Sequence, residues 1–327
     1  EGVSEDVVIL DDTDDALSAG SPPNTAGDSP FTAADQGPVD DEFETLDIEY
    51  ERVHTNLPPL SVRGNVGLEE MLLTLERLAP DKAPGLDLIS GRLLQALCLE
   101  RANGSHASAA ARAEAMGRAG DVGAARDVCA EAVRRIVSDP FDTCVWPKRW
   151  KIGLTVVIPK GKISSDPKDG RGITLLPIFD KLAQRILVNR LHACGRRTAV
   201  EQAGFVPGMG ALQAAAATVA FIGDRLIRKL KTVTVAMDVA KAFDRVSHVA
   251  IRAGLRRLGG DVHLDLLIKS LLADRECFVS SNGDMAGPFR IERGVPQGGV
   301  CSPFLFNAAV DPLYERLRPL GIKVGDE

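Results

Sequence analysis

The chain has little of what marks a secreted, membrane or zinc protein. Its six cysteines (Cys98, Cys129, Cys144, Cys194, Cys277, Cys301) contain no Cys-x-x-Cys pair, so neither a zinc site nor a disulfide framework is signalled. They read as reduced, mostly core residues of an intracellular protein. No run of 18 apolar residues and no basic-then-apolar leader occurs, which argues against a membrane span and a signal peptide. The first 50 residues contain no Lys or Arg at all, and carry fifteen acids. The net charge of −6 therefore belongs to that end. Of the 45 acids, 30 remain from Glu51 onward against 39 bases, a balance of +9 that suits a polyanionic partner. The chain starts at Glu1 rather than Met and reads as a piece of a longer product.

With 45% hydrophobic residues in 327 positions, a sizeable core is possible, as one large domain with a tail or as two domains. Residues 1–56, acidic and rich in Ser, Pro, Gly and Thr, cannot bury enough apolar surface to offset ordering entropy and are expected to be a disordered linker. Helical periodicity begins with Leu68, Met71, Leu72, Leu75 and Leu78 and stops at Pro80. A polar, turn-rich connection, Asp81-Lys82-Ala83-Pro84-Gly85-Leu86-Asp87, precedes a second helix from Ser90 to Leu99. Residues 102–127, rich in Ala, Gly, Ser and Arg, read as an exposed helical insertion. Trp146 and Trp150 lie beside a strand from Ile152 to Ile158 and are expected in the core, with base stacking as the alternative. A helix from Asp180 to Ala193 turns Leu182, Ile186, Leu187 and Leu191 inward and Lys181, Arg185 and Arg190 outward. An Ala-rich helix spans about 211–230, two more run from Val246 to Gly259 and from Asp261 to Leu272, and Cys277–Ser281 with Phe289–Arg293 reads as a hairpin turning at Ser281-Asn282-Gly283-Asp284.

Two stretches carry chemistry. In Thr232-Val233-Thr234-Val235-Ala236-Met237-Asp238-Val239-Ala240-Lys241-Ala242-Phe243-Asp244, a β-branched apolar half with the composition of a buried strand runs into a carboxylate. Burying Asp238 alone would cost several kcal/mol, so a bound cation or a donor network is expected there, the alternative being a turn or helix cap. About fifty residues on comes Gly294-Val295-Pro296-Gln297-Gly298-Gly299-Val300-Cys301-Ser302-Pro303-Phe304-Leu305-Phe306-Asn307. Its adjacent glycines permit close backbone approach, and Ser302-Pro303 opens a helix with Ser302 as the expected N-cap.

Together, Ala242-Phe243-Asp244 and Pro296-Gln297-Gly298-Gly299 resemble the paired palm motifs of reverse transcriptases, and Leu305-Phe306-Asn307 most resembles the non-LTR (LINE-type) retrotransposon branch. Lys82-Ala83-Pro84-Gly85, Ile158-Pro159-Lys160, Arg171-Gly172-Ile173-Thr174-Leu175 and Gln202-Ala203-Gly204-Phe205 match further motifs in the family's order, over roughly residues 57–320. The resemblance implies an α+β fold, the fingers and part of the palm of a right-hand polymerase, with an antiparallel palm sheet packed on helices. Residues 57–231 would form the N-terminal and fingers part, and 232–327 the palm. The implied activity is RNA-directed DNA synthesis by two-metal nucleotidyl transfer, with Mg²⁺, or Mn²⁺ in its place, as the ions. Asp238 is the implied catalytic metal ligand, with the Val239 carbonyl as a second. Lys160 and Arg171 would hold the triphosphate, and the Lys241 and Ala242 amides would face it. Phe243 corresponds to the ring that leaves no room for a 2′ hydroxyl, and Gln297 and Gly298 approach the nucleotide and template. Where the family has Pro, Gly172 is expected to loosen a turn that fixes Arg171. Asp244 reads as a helix cap or salt-bridge partner rather than a metal ligand.

The partners implied are an RNA template, a DNA primer or nicked target DNA, and deoxynucleoside triphosphates, in cytoplasm and nucleus and with no membrane. The family's Asp-Asp pair on a hairpin beyond the Pro-Gln-Gly motif is absent, and Asp326-Glu327 lacks the flanking apolar strands to stand in for it. With one side-chain ligand, this polypeptide alone is expected to be inactive. The alternatives are a group II intron-type reverse transcriptase and a degenerate copy acting only as a nucleic-acid-binding remnant.

Overall fold

The structure, a computed structural model, describes residues 59–99, 121–159, 170–195, 198–281 and 284–320. The 1–56 segment, residues 102–120 of the insertion, Lys160, Asn282, Gly283, Asp326 and Glu327 lie outside the described residues. The fold is α+β. In chain order its elements are α1 (Leu68–Glu76), α2 (Gly91–Cys98), α3 (Asp121–Thr143), β1 (Ile152–Pro159), β2 (Gly170–Leu175), α4 (Ile178–Ala193), α5 (Ala211–Ile227), α6 (Ala242–Arg245), α7 (His248–Arg257), α8 (Val262–Leu272), β3 (Arg275–Ser281), β4 (Asp284–Ile291) and α9 (Ser302–Leu317).

The helices start where their chemistry dictates. Glu69 and Glu70 sit at the positive end of α1, and the leucine periodicity buries Met71 and Leu75 completely. Ser90 caps α2 by accepting from Leu93 N at 3.2 Å. Asp261 caps α8 by accepting from Leu264 N at 2.7 Å. Residues 121–127, expected within the insertion, are the first turns of α3. One hydrophobic core joins α1, α2, α3, α4, α7, α8 and α9, and Trp146 and Trp150 belong to it. Trp150 stacks on Phe179 (6.2 Å, 8°) and meets Trp146 edge-on (5.9 Å, 80°).

The sheet has the order β2-β1-β3-β4 and is mixed, not antiparallel as expected. β1 pairs antiparallel with β2, from Leu154↔Leu175 to Pro159↔Gly170, and β3 with β4. β1 and β3 run parallel in the register Ile152↔Glu276 to Val156↔Ser280. Parallel pairing requires a long crossover, and helices α4 to α8 supply it. Gly172 lies inside β2 opposite Val157, so the expected loosened turn is a strand whose ladder fixes the backbone.

A buried polar knot fastens sheet to helices. Fully buried Asp180 accepts from Trp146 Nε1 (2.8 Å), Gln184 Nε2 (2.8 Å) and Arg275 Nη2 (3.2 and 3.3 Å). Arg275, at the start of β3, also donates through Nε to the Leu271 carbonyl at 2.7 Å. A buried ion pair tolerates such burial only with further hydrogen bonds, and Trp146, Gln184 and the Leu271 carbonyl supply them here. Arg190, read as outward and basic, is structural instead. It grips Glu70 (2.7 Å) and the carbonyls of Val62, Gly64 and Asn65 (2.8, 2.8 and 3.1 Å), tying α4 to the segment before α1.

The largest departure concerns Thr232–Met237, expected as a buried strand. Residues 230–239 have no regular secondary structure, and Val233, Val235, Met237 and Val239 are 88%, 73%, 74% and 62% exposed. β-branched composition gives a segment the capacity to pair, but a strand forms only where a neighbouring ladder takes up its N–H and C=O groups. None of the described strands pairs with this segment. Helix α5, which precedes it, likewise has no buried residue.

Candidate active site

Three loops meet beside the exposed end of the core. The first is the turn into α6, where Lys241 adopts a left-handed backbone (φ +52°, ψ +42°) as the residue before Ala242. A left-handed residue followed by a helical one points successive amides to a common side, the geometry of an anion nest. Asp244 N and Arg245 N close the turn on the Lys241 carbonyl at 3.0 and 3.1 Å.

The second loop is Gly294–Gly299, and it is built against the first. Gly294 N donates to Val246 O (2.8 Å) and Val295 N to Phe243 O (2.8 Å). His248 Nε2 lies 2.9 Å from Gly294 O. At Gly294 the chain has φ +78°, and a Cβ there would come within 2.6 Å of the carbonyls of Phe243 and Asp244. Only glycine allows that approach. Gln297 then makes two contacts at once. Its side chain donates through Nε2 to Asp244 Oδ1 at 2.9 Å, and its carbonyl accepts from Thr174 N of β2 at 2.7 Å. Gly298, with φ +119°, lies against the Thr174 carbonyl, which an added Cβ would meet at 2.6 Å. The Arg171-bearing strand, the Gln-Gly-Gly loop and the Ala-Phe-Asp turn are thus one hydrogen-bonded unit.

Ser302, expected as the N-cap of α9, is instead its first residue, and Cys301 holds the cap position without its side chain capping the helix. The Ser302 hydroxyl donates to the Pro296 carbonyl at 2.8 Å, bracing the loop from below. Cys301 is fully buried, and burial pushes its thiol up to about 12, so it stays protonated and donates to Gln184 Oε1 at 3.2 Å.

The third contributor is aromatic. The Phe243 ring stacks on Phe306 of α9 (centroids 5.2 Å, 19°) and meets Phe205 edge-on (5.8 Å, 88°). The residues behind them form a closed ring of amide bonds. Gln202 Nε2 donates to Asn307 Oδ1 (3.1 Å), Asn307 Nδ2 to Gly204 O (2.8 Å), and Gly204 N to Gln202 Oε1 (3.0 Å).

Of the residues singled out in the sequence, Ala242, Phe243, Gln297 and Gly298 come together, with Lys241 at the edge of the group. Arg171 is on the strand that touches Gln297, three residues before Thr174, exposed and opposite Ile158. Asp238 and Val239 are exposed on the segment outside the sheet, so no desolvation cost calls for a cation or donor network at Asp238. Lys160 is outside the described residues. Asp244, expected as a cap or salt-bridge partner, receives Gln297 instead. Phe205, Phe306, Asn307 and Thr174 were not anticipated in the site, although Gln202-Ala203-Gly204-Phe205 and Leu305-Phe306-Asn307 stood out as motifs.

An octahedral Mg²⁺ pair needs several carboxylates converging within a few ångströms. Among the described residues no three His, Cys, Asp or Glu side chains are grouped to hold a metal ion. With no such group, and with Asp238 exposed on an unpaired segment, the described residues do not fit a two-ion centre.

A mixed α+β domain thus holds its Gln-Gly-Gly loop between the Arg171-bearing strand and the Ala-Phe-Asp turn. The family described as reverse transcriptase (RNA-dependent DNA polymerase) matches residues 158–324, about half of the chain, and the chain belongs to that family. It resembles the reverse-transcriptase domains of non-LTR retrotransposons. It is 34% identical over 189 residues to the Popillia japonica "Retrovirus-related Pol polyprotein from type-1 retrotransposable element R2", covering 55% of this chain and 26% of that one. It is 29% identical over 253 residues to the Drosophila melanogaster "RNA-directed DNA polymerase from mobile element jockey", covering 76% of this chain and 24% of that one. The chain therefore spans about a quarter of the length of these relatives. A chain of a solved "Partial Cas6-RT-Cas1--Cas2 complex" aligns at 19% identity, over 59% of this chain and 30% of that one, with a TM-score of 0.31, a likeness too slight to argue from. No comparison favours a group II intron-type enzyme.

Proposed function

We propose that this chain is the fingers and part of the palm of a retrotransposon RNA-directed DNA polymerase, and that the 1–327 polypeptide by itself does not polymerise. In this reading residues 1–56 are an acidic linker, 57–231 the N-terminal and fingers part with an insertion at 102–127, and 232–327 part of the palm. The observation that supports it is the clasp of Gln297 and Gly298 between Thr174 and Asp244, which brings three motifs of the family into one hydrogen-bonded unit. Arg171 and Lys160 offer donors to the triphosphate of an incoming deoxynucleotide, and the nest at Lys241 and Ala242 offers amides. Phe243 lies under the sugar and excludes a 2′ hydroxyl.

Mg²⁺ is the ion such chemistry takes, and Asp238 with the Val239 carbonyl is what this chain offers it. Further carboxylates have to come from outside the described residues. The partners are an RNA template and a DNA primer or nicked target, met in cytoplasm and nucleus. No helix among the described residues is long and apolar enough to cross a membrane.

Primer extension on an RNA template tests both halves. The 1–327 chain is expected to incorporate no deoxynucleotide, whereas a polypeptide extending it through the rest of its reading frame is expected to do so, with Asp238→Ala reducing incorporation to background. Synthesis by 1–327 would sink the claim of inactivity. Undiminished synthesis by the Asp238→Ala protein would remove Asp238 from the centre.

A further inference from the structure

Phe205 carries an unusual combination of features. An aromatic residue rarely takes a positive φ, yet Phe205 has φ +57°, and its side chain is largely exposed. Neither is favourable, and a strained backbone persists only where its surroundings over-determine it. Here they do. Buried Gln202 and Asn307 use both ends of their amides on one another and on Gly204, the residue next to Phe205. What the ring gains by being held out is an edge-on contact with Phe243 (5.8 Å, 88°), while the face of Phe243 rests on Phe306 (5.2 Å, 19°). Edge-to-face and offset stacking both resist tilting of the central ring. Phe306 is fixed in turn, since it lies between Leu305, which is fully buried, and Asn307, which is part of the amide ring.

From this geometry we infer that Phe306 and Phe205 are positioning residues for Phe243: they set the plane of the ring that discriminates the sugar. Selection of deoxy- over ribonucleotides is then a property of three separated segments, not of Phe243 alone. The inference rests on the reading of Phe243 as the sugar-facing ring. It accounts for two motifs that the proposed chemistry leaves idle. Gln202-Ala203-Gly204-Phe205 carries a ring and the half of an amide clamp, and Leu305-Phe306-Asn307 carries the stacking ring and the other half.

The test uses the polymerase-competent polypeptide that contains this chain. Single-nucleotide incorporation gives the ratio of kcat/KM for a deoxynucleotide to that for the matching ribonucleotide. Phe306→Ala and Phe205→Ala are expected to lower the ratio roughly three- to tenfold, the fold-change one aromatic contact supplies. Phe306→Tyr, which keeps a stacking plane, is expected to stay within about twofold of the parent ratio. Should Phe306→Ala fail to fold by circular dichroism, Phe306→Leu keeps the apolar volume without the plane and is expected to lower the ratio as well. Phe243→Ala is the control. If it lowers the ratio while the Phe306 and Phe205 variants leave it unchanged, the positioning role is overturned and the sugar-facing role stands. If Phe243→Ala itself leaves the ratio unchanged, both fall.

Discussion

Gln297 is held by two groups that differ in kind, a backbone amide on β2 and a carboxylate on the α6 turn, and each makes a separate prediction. Gly298, next to it, has φ +119° and no space for a Cβ against the Thr174 carbonyl. Gly298→Ala therefore combines backbone strain with a collision and is expected to lower unfolding free energy by about 2–3 kcal/mol, read from urea denaturation of the 1–327 chain. The Asp244 side tests orientation. Asn at 244 keeps an oxygen that can accept from Gln297 Nε2 and Ala does not. In the polymerase-competent polypeptide, Asp244→Asn is expected to keep a several-fold lower KM for deoxynucleotide than Asp244→Ala, measured by steady-state incorporation. Equal KM values would show that Asp244 does not orient Gln297. Gln297 and Gly298 were legible in the sequence because a glycine pair after a polar residue announces close approach. Their partners were not, because Asp244 is 53 residues away and no periodicity links the two.

Among the elements, the helices, strand β1 and the β3–β4 hairpin with its turn at 281–284 are legible in the sequence and the order of the sheet is not, for one physical reason. The inward residues Leu182, Ile186, Leu187 and Leu191 of α4 are all fully buried, since helical hydrogen bonds are local and the buried stripe shows in the period. Strand pairing is not local, so the parallel β1–β3 pair and the unpaired 232–237 segment were both beyond reach of composition. The helix layer supplies two further tests. Gly254 of α7 is packed so closely on α9 that a Cβ would collide with the Ala308 carbonyl, so the two helices cannot accommodate a larger residue without separating. Gly254→Val is expected to cost about 3 kcal/mol or more, where helix propensity alone would give a gain of roughly a few tenths of a kcal/mol, with thermal unfolding as the measure.

Between α7 and α8, Arg252 donates to Asp265 at 2.9 Å (Nε) and 2.6 Å (Nη2). Burial pushes the Asp265 carboxyl up, but the guanidinium groups of Arg252 and Arg256 more than offset this and hold it below the usual carboxylate range. A depressed carboxyl stabilises the fold above its unfolded value, about 3.9, and the contribution is lost as pH falls through the folded value. Asp265→Asn is thus expected to destabilise clearly at pH 7 and much less at pH 3, by denaturant titration at each pH. An equal loss at both would assign the effect to packing.

At the scale of the whole molecule the chain divides into a packed body and an apolar stretch that is not packed. From Leu212 through Val219, Leu226 and Ile227 of α5 to Val233, Val235, Met237 and Val239, large apolar side chains lie 62–88% exposed. Exposed apolar side chains in such number favour association in water, and a segment that none of the described strands pairs adds a template for β-pairing. A second route to association exists in the charge distribution, fifteen acids without a base in the first 50 residues against a balance of +9 in the rest. Salt separates the two. Charge-driven association weakens as ionic strength rises from about 0.1 M to 1 M and the screening length falls from ~10 Å to ~3 Å, whereas apolar association persists. The purified 1–327 chain is expected to sediment as oligomers whose distribution is insensitive to that change, and the double variant Leu226→Lys, Val235→Lys is expected to sediment as monomer with reduced binding of an apolar dye. Dissociation of the parent chain by salt would place the contact between the acidic end and the basic body instead, and a parent monomer at all salt concentrations would show that the exposed stretch does not associate.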